Sequence, residues 1–166
     1  MYWNIRGNFK LIQSSEVSGW LQKNCDICFI SETHMTKGQC FQVKKFNCVN
    51  HPFLEVFDKK PRGGLTCMIK YEFMQYVTKI NRDIPDCIKV IFHGGHEIFG
   101  SYIPPSDSLY FSETCFAHIP NFFSKKKSKS SSIVIGGGDL NSRVGDLKQC
   151  VPLLSAKYRP NIDQNN

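Results

Sequence analysis

Four segments of the chain carry a polar side chain directly after a short apolar run. These polar residues are Asn4, Glu32, Tyr102, and Asp139 with Asn141. Two carboxylates suit one divalent cation, because Mg²⁺ prefers oxygen ligands and usually takes one or two carboxylates. Amide and phenol groups suit donation to a phosphate oxygen whose charge grows in a transition state. The residue types therefore predict metal-assisted chemistry on a phosphate, provided that the fold brings these side chains together.

The densest of these signals lies in the stretch from Ile133 to Asp146. Its first three residues are β-branched and apolar, which predicts a buried strand, and three glycines follow them. Asp139 and Asn141 are two residues apart, so in an extended chain their side chains point the same way. The alternative is a glycine-rich turn in which one of these side chains caps the following backbone by a hydrogen bond. The stretch alone leaves both interpretations open.

Apolar runs elsewhere predict a series of strands. They cover 1–6, 27–31, 46–49, 65–70, 87–93, 96–103 and 133–135. Gly94 and Gly95 suit a two-residue primed turn, so the strands on either side of them are expected to form a hairpin. If the strands that precede the polar residues lie side by side, their ends form one pocket. Crevices at strand ends are where α/β domains commonly bind ligands.

Two helices are predicted between these strands. The first covers Ser15–Lys23, with a serine cap at its start and an apolar face formed by Val17, Trp20 and Leu21. The second begins after Ser106. Its apolar stripe consists of Phe111, Cys115, Ile119 and Phe122. Strands that alternate with helices indicate a mixed α/β fold, and 166 residues suffice for one domain, so 1–166 is expected to be a single domain.

The composition indicates a folded protein with a basic surface. Hydrophobic residues make up 41% of the chain and charged residues 21%, and the net charge is +7. This charge permits a polyanionic partner, although four lysines lie in the serine-rich segment 124–132, which is expected to be a solvated loop. No apolar stretch approaches the roughly 20 residues that span a bilayer. Without a signal-peptide layout, an intracellular location in the nucleus or cytoplasm is expected, with free thiols.

Two pairs of residues have a spacing typical of metal ligands. Cys25 and Cys28 form a CxxC pair, but Cys28 lies in an apolar run and the odd spacing puts the two sulfurs on opposite faces of a strand. They are expected to be buried small hydrophobes. His93 and His96 flank the predicted hairpin turn, which makes them paired cross-strand positions on the surface. Neither pair is predicted to bind zinc.

Other phosphate-binding and nucleophile motifs are absent. Gly136-Gly137-Gly138 does not complete G-x-G-x-x-G, because Asn141 occupies the last position. The chain has no Gly-Lys-Ser/Thr for a P-loop and no G-x-S-x-G elbow.

The order and the amino-acid sequences of the polar segments resemble those of the endonuclease/exonuclease/phosphatase superfamily, and most of all those of the endonuclease domains of non-LTR retrotransposons. The matching segments are Trp3–Gly7, Ser31–His34, Arg62–Gly64, Tyr102–Ser106 and Gly138–Gly145. The resemblance extends over essentially the whole chain.

The resemblance implies a four-layer α/β sandwich that hydrolyses phosphodiester bonds of DNA with Mg²⁺, or with Mn²⁺ in its place. Glu32 looks like the metal ligand of the family, and Asn4 looks like an amide at or behind the metal. Tyr102 looks like a phenol that contacts the phosphate. Asp139 would orient or activate the attacking water, and Asn141 would stabilise the phosphate. DNA is the expected partner, with no membrane and no small-molecule cofactor.

The chain departs from the family pattern at three points. Leu140 replaces an aromatic residue, and Pro105 stands where many DNA-repair members have asparagine, although retrotransposon members often have this proline. The C-terminal aspartate and the Ser-Asp-His motif of the family have no counterpart after Asp146, so the domain is expected to be partial. A missing general base typically costs about 10²–10⁴-fold in rate. Two hypotheses follow: an endonuclease of retroelement type, or a non-catalytic fragment that at most binds nucleic acid. A phosphatase or lipid phosphodiesterase of the same superfamily is a third.

Overall fold

The structure is a computed structural model that describes residues 1–36, 38–39, 42–52, 62–108, 111 and 132–141. The strands are β1 (Tyr2–Asn4), β2 (Ile27–Ser31), β3 (Phe46–His51), β4 (Leu65–Lys70), β5 (Val77–Asn81), β6 (Cys87–Phe92), β7 (Glu97–Tyr102) and β8 (Val134–Asp139). The helices are α1 (Phe9–Gln13), α2 (Ser15–Asn24) and α3 (Tyr71–Met74). A short 3₁₀ turn covers His93–Gly95.

The strands form two four-stranded sheets. The first sheet has the order β1–β2–β4–β3 and the second has the order β5–β6–β7–β8. In the first sheet β1 and β2 are parallel, while β4 runs antiparallel to both β2 and β3. In the second sheet β7 and β8 are the parallel pair, and the other neighbours are antiparallel. The prediction of a mixed α/β fold is confirmed.

Two apolar clusters stack these elements into layers. One cluster joins α1 and α2 to the outer face of the first sheet through residues such as Ile12, Leu21 and Ile30. The other lies between the two sheets and includes Phe29, together with Leu65 of β4 and Ile88 of β6. Neighbouring residues of β2 therefore contact opposite layers. This explains its uninterrupted apolar sequence, because a strand that is buried on both faces does not alternate with polar residues.

The first predicted helix is confirmed as α2, and its start follows from local chemistry. Ser14 precedes it, and the Oγ of this serine accepts a hydrogen bond from the backbone N–H of Val17 at 3.4 Å. This satisfies one of the free donors at the helix N-terminus. Leu21 is completely buried, as predicted, but Trp20 is 52% exposed. The apolar face of α2 is therefore narrower than the sequence spacing indicated.

Three local predictions differ from the structure. The turn of the hairpin is the three-residue segment His93–Gly95 and not a two-residue turn, because the Phe92 N–H donates to the His96 carbonyl at 2.8 Å. His93 and His96 are both exposed, but they do not form a cross-strand pair. Ile133 and Ile135 are 59% and 56% exposed, so the start of β8 is not buried. Among the described strands β8 is an edge strand with β7 as its single neighbour.

The CxxC pair also differs from its prediction. Cys25 and Cys28 are both buried free thiols, as expected, but they lie in the same core cluster and not on opposite faces. Cys25 precedes β2, so the two-residue alternation of a strand does not extend to it. A hydrogen bond with Cys28 lowers the pKa of the Cys25 thiol to about 7. Burial acts in the opposite direction, and the charge of the N-terminal ammonium group lowers the pKa further.

Several predictions lie outside the described residues. They are the helix after Ser106 with its stripe at Cys115, Ile119 and Phe122, the lysine segment 124–131, and most of the loop 51–62. Among the helices that the structure does describe, none has the length and apolarity that a membrane crossing requires.

Candidate active site

The two parallel strand pairs end at the same place in the molecule. In the first sheet Asn4, at the carboxyl end of β1, pairs with Ser31, the last residue of β2. Glu32 directly follows Ser31. In the second sheet Tyr102 pairs with Asp139 at the ends of β7 and β8. The sequence predicted that the strands carrying these four residues lie side by side in one sheet. In the structure they belong to two facing sheets. The predicted pocket therefore forms between the sheets.

One amide group joins the two sheets at this point. The Asn4 Nδ2 donates to Glu32 Oε1 at 2.8 Å and to Asp139 Oδ2 at 2.8 Å. The Tyr102 hydroxyl donates to the same Glu32 Oε1 at 3.2 Å. The amide oxygen of Asn4 accepts the backbone N–H of Arg6 at 3.0 Å, which fixes the orientation of the side chain. Two carboxylates thus converge on one nitrogen.

Asn141 lies beside this group but is held differently from its prediction. β8 ends at Asp139, and Asn141 adopts a positive φ of 42°, so the extended conformation does not continue to it. Its backbone N–H donates to Asp139 Oδ1 at 3.3 Å, and its Nδ2 donates to the Ile103 carbonyl at 2.8 Å. The alternative that the sequence left open, in which a side chain caps the following backbone, is therefore present in the structure.

Tyr102 is kept protonated by its surroundings. Burial raises the pKa of its phenol well above the ordinary value, and the negative charge of Glu32 together with the hydrogen bond to it adds to this increase. The hydroxyl is therefore a hydrogen-bond donor at every physiological pH. A neutral donor that is fixed in this way can contact an anionic group without losing its proton.

A second tyrosine, Tyr2, connects the two sheets near the site. Its hydroxyl donates to the Ser101 carbonyl at 2.8 Å and so connects β1 with β7. Burial raises the pKa of this phenol to about 12. Tyr2 was not among the predicted site residues, although its position two residues before Asn4 in a strand places both side chains on one face. That spacing was the signal that could have identified it.

His34 and Arg62 line the same opening. They contribute, with Glu32, Tyr102 and Pro104, to an open cavity of about 380 Å³. The His34 Nε2 lies 4.0 Å from Glu32 Oε2. Both residues lie in segments that carry the resemblance described above, but nothing in their spacing indicated that the fold would bring them onto one wall.

The residues present fit a divalent cation. Two carboxylates from different sheets meet with one shared neutral donor, and a hard cation that takes one or two carboxylates would neutralise them. Glu32 Oε1 is already occupied by two donors, whereas its Oε2 lies on the His34 side of the cavity. The described residues contain no group of three or more His, Cys, Asp or Glu side chains that could form a closed site. A cation here would complete its coordination with water or substrate.

Comparisons with known proteins agree with this architecture. No family model and no curated protein matches the sequence. Solved structures of nucleases and phosphatases do match. The 3′ phosphatase NExo from Neisseria, bound to a product DNA hairpin, superposes with a TM-score of 0.57 at 16% identity, over 84% of this chain and 56% of that chain. The chain therefore has the same two-sheet α/β fold as this phosphatase, and it spans little more than half of its length.

Two more solved structures match with lower TM-scores. A 3′-5′ exonuclease, NExo from Neisseria meningitidis, matches with a TM-score of 0.45 at 17% identity, over 74% of this chain and 47% of that chain. An AP endonuclease from Archaeoglobus fulgidus matches with a TM-score of 0.38 at 16% identity, over 65% of this chain and 43% of that chain.

Proposed function

We propose that the protein is a Mg²⁺-dependent phosphodiesterase that cleaves DNA, and specifically an endonuclease of the non-LTR retrotransposon type. The observation that carries this proposal is the single Asn4 amide that holds the carboxylates of Glu32 and Asp139 together beside the Tyr102 hydroxyl. The retroelement type is supported by the residues of the matching segments, such as the proline at position 105. Neisserial NExo, which shares the fold, is a 3′ phosphatase bound to a DNA product.

The side chains divide the work of the reaction. Glu32 would hold the cation, with Asp139 close enough to share it, and Asn4 keeps both carboxylates in place. A bound Mg²⁺, or Mn²⁺ in its place, supplies positive charge for the phosphate oxygens and lowers the pKa of bound water. The Tyr102 hydroxyl, which donates to Glu32 in the structure, would turn this hydrogen bond to a phosphate oxygen when substrate binds. Asp139 accepts a hydrogen bond from the attacking water and so orients it toward phosphorus.

Asn141 has a positioning role in this proposal. Its Nδ2 is engaged by the Ile103 carbonyl, and its backbone N–H holds the second oxygen of Asp139. It would therefore fix the direction of Asp139 and reach a phosphate oxygen through the second hydrogen of the same amide.

The test is nicking of supercoiled plasmid DNA with Mg²⁺, with EDTA as the metal-free reference. We expect Mg²⁺-dependent nicking by the wild type and its loss in a variant with Glu32→Ala and Asp139→Ala. The matched control carries Glu72→Ala and Asp83→Ala, which removes the same charge from two exposed positions outside the cavity. Circular dichroism checks that all variants are folded.

Two outcomes would contradict the proposal. Nicking that persists in the variant without Glu32 and Asp139 would show that the site is wrongly assigned. A folded wild type that never nicks DNA with Mg²⁺ or Mn²⁺ would favour the alternative, a non-catalytic module that at most binds nucleic acid through its basic surface.

A further inference from the structure

Arg62 and His34 are held side by side by backbone hydrogen bonds between two segments. The N–H of His34 donates to the Gly63 carbonyl at 2.8 Å, and the N–H of Thr33 donates to the Gly64 carbonyl at 3.3 Å. Gly63 and Gly64 have φ values of 65° and 86°, which glycine adopts without strain. This turn brings the residue that precedes it, Arg62, to the wall of the cavity that His34 also lines.

The imidazole of His34 is fixed by its contact with Gly7. A Cβ at position 7 would lie 2.5 Å from the Nδ1 of His34, so the ring packs directly against the glycine backbone. Its other nitrogen, Nε2, points toward Glu32, with Oε2 at 4.0 Å. The ring is two-thirds buried, with 33% of the side chain exposed, and its edge is open to the cavity.

Arg62 is the side chain on this wall that suits an anion. Among the described residues that line the cavity, Arg62 is the single cationic side chain, while Glu32 and Asp107 are anionic. An arginine is suited to bidentate contact with a phosphate.

The cavity is also larger than the chemistry at the carboxylates requires. Its volume of about 380 Å³ is roughly ten times the ~30 Å³ that one water occupies in the liquid. The opening therefore has room for a substrate group next to the one that reacts.

We propose that Arg62 and His34 form a second phosphate subsite, which binds the DNA backbone at the phosphate next to the one that is cut. This proposal rests on the proposed function. Arg62 pairs with the charge of that phosphate, and His34 donates a hydrogen bond to it. The two residues position the strand, and neither takes part in bond cleavage.

The experiment measures duplex DNA binding in EDTA, so that no cleavage interferes, by fluorescence anisotropy over a series of salt concentrations. One phosphate contact contributes about 0.9 to the slope of log K against log salt. We expect Arg62→Gln to reduce the slope by about this amount and to weaken binding several-fold at low salt. Arg82→Gln is the matched control, because Arg82 is exposed and lines a different surface near Asn50, to whose carbonyl it donates.

His34 provides an independent measurement. His34→Ala should weaken binding several-fold, because it removes a hydrogen-bond donor from the wall of the cavity. His34→Gln, which keeps an N–H donor, should restore most of the affinity. A purely structural role for His34 would not distinguish these two variants in this way.

The outcomes separate the two proposals. The second subsite is overturned if the salt slope is unchanged in Arg62→Gln, or if Arg82→Gln loses as much slope and affinity as Arg62→Gln. Plasmid nicking by the wild type would still support the proposed function in that case. A wild type that neither nicks nor binds DNA overturns the proposed function and the subsite together.

Discussion

Replacing Asn4 by aspartate tests the amide that joins the two sheets. The wild-type Nδ2 donates to Glu32 Oε1 and to Asp139 Oδ2, each at 2.8 Å. Asn4→Asp keeps the shape of the side chain but replaces this donor by a carboxylate. Three carboxylates then meet where two shared one donor, and both charge-assisted hydrogen bonds are lost.

The expected cost follows from these two changes. A hydrogen bond to a charged group contributes about 1.5–3 kcal/mol. Repulsion between unit charges at about 4 Å reaches roughly 4 kcal/mol at an effective dielectric constant of 20. Asn4 and Glu32 are only partly buried, so water reduces both contributions. We therefore expect a total loss of about 3–5 kcal/mol at neutral pH, which corresponds to a fall in Tm of roughly 6–20 °C for a chain of this size.

The assay is thermal unfolding of the wild type and the variant in EDTA and in Mg²⁺. Three carboxylates bind a divalent cation more tightly than two, and a ligand that binds the folded state stabilises it. The difference in Tm between the wild type and Asn4→Asp should therefore become smaller in Mg²⁺. Asn50→Asp is the control, because Asn50 Oδ1 accepts from Thr66 Oγ1 at 2.8 Å and a carboxylate can accept the same bond.

Two results would refute this reasoning. An Asn4→Asp variant as stable in EDTA as the wild type would mean that the amide does not hold the carboxylates together. A difference in Tm that stays the same in EDTA and Mg²⁺ would contradict a cation site at Glu32 and Asp139. We expect Asn50→Asp to lie within about 1 kcal/mol of the wild type in both buffers.

Three further predictions concern single positions. Tyr102→Phe removes the hydroxyl that lies 3.2 Å from its carboxylate partner, and plasmid nicking should slow by about 10²-fold; an unchanged rate would exclude the phenol from the reaction. Gly100→Ala would place a Cβ 2.3 Å from the ring of Phe29 between the sheets, so the free energy of unfolding measured in urea should fall by about 1–3 kcal/mol. The comparison is Gly19→Ala in α2, which should raise the free energy of unfolding by about 1 kcal/mol. Burial raises the pKa of Asp86 to about 6, so its ionisation opposes folding as the pH rises above the unfolded pKa of about 3.9. Asp86→Asn should therefore raise the free energy of unfolding by about 1–3 kcal/mol near pH 8 and by little near pH 4. An equal increase at both pH values would contradict burial as the cause.

The sequence predicted the elements that have strong local signals. The bounds of β2 and β4 agree with their predicted ranges at both ends, because each is a short apolar run that ends at a polar residue. The start of α2 was predictable because Ser14 forms a local cap. The structure also brings Asn4, Glu32 and Asp139 together. Each lies at or just after the carboxyl end of a strand in a parallel pair, and the two pairs end at the same place in the facing sheets.

Pairing between strands could not be predicted from the same signals. Periodicity shows which face of a strand is apolar, but it does not show that β1 and β8 belong to different sheets. For the same reason the exposure of Ile135 was missed, since it depends on which strand lies beside β8. The wall formed by Arg62 and His34 depends on contacts between distant segments, which residue spacing does not contain.

The backbone of the site is strained in a way that these local signals do not reveal. Glu32, His34 and Asn141 are non-glycine residues with φ values of 51°, 50° and 42°. Such conformations cost about 1–3 kcal/mol each and persist only where the surrounding structure determines them. Here the surroundings are backbone hydrogen bonds, including a 2.6 Å bond from Gly7 N–H to the Glu32 carbonyl. The positions of the carboxylates are therefore set by the chain itself, so a cation or a phosphate would enter a site whose geometry is already formed.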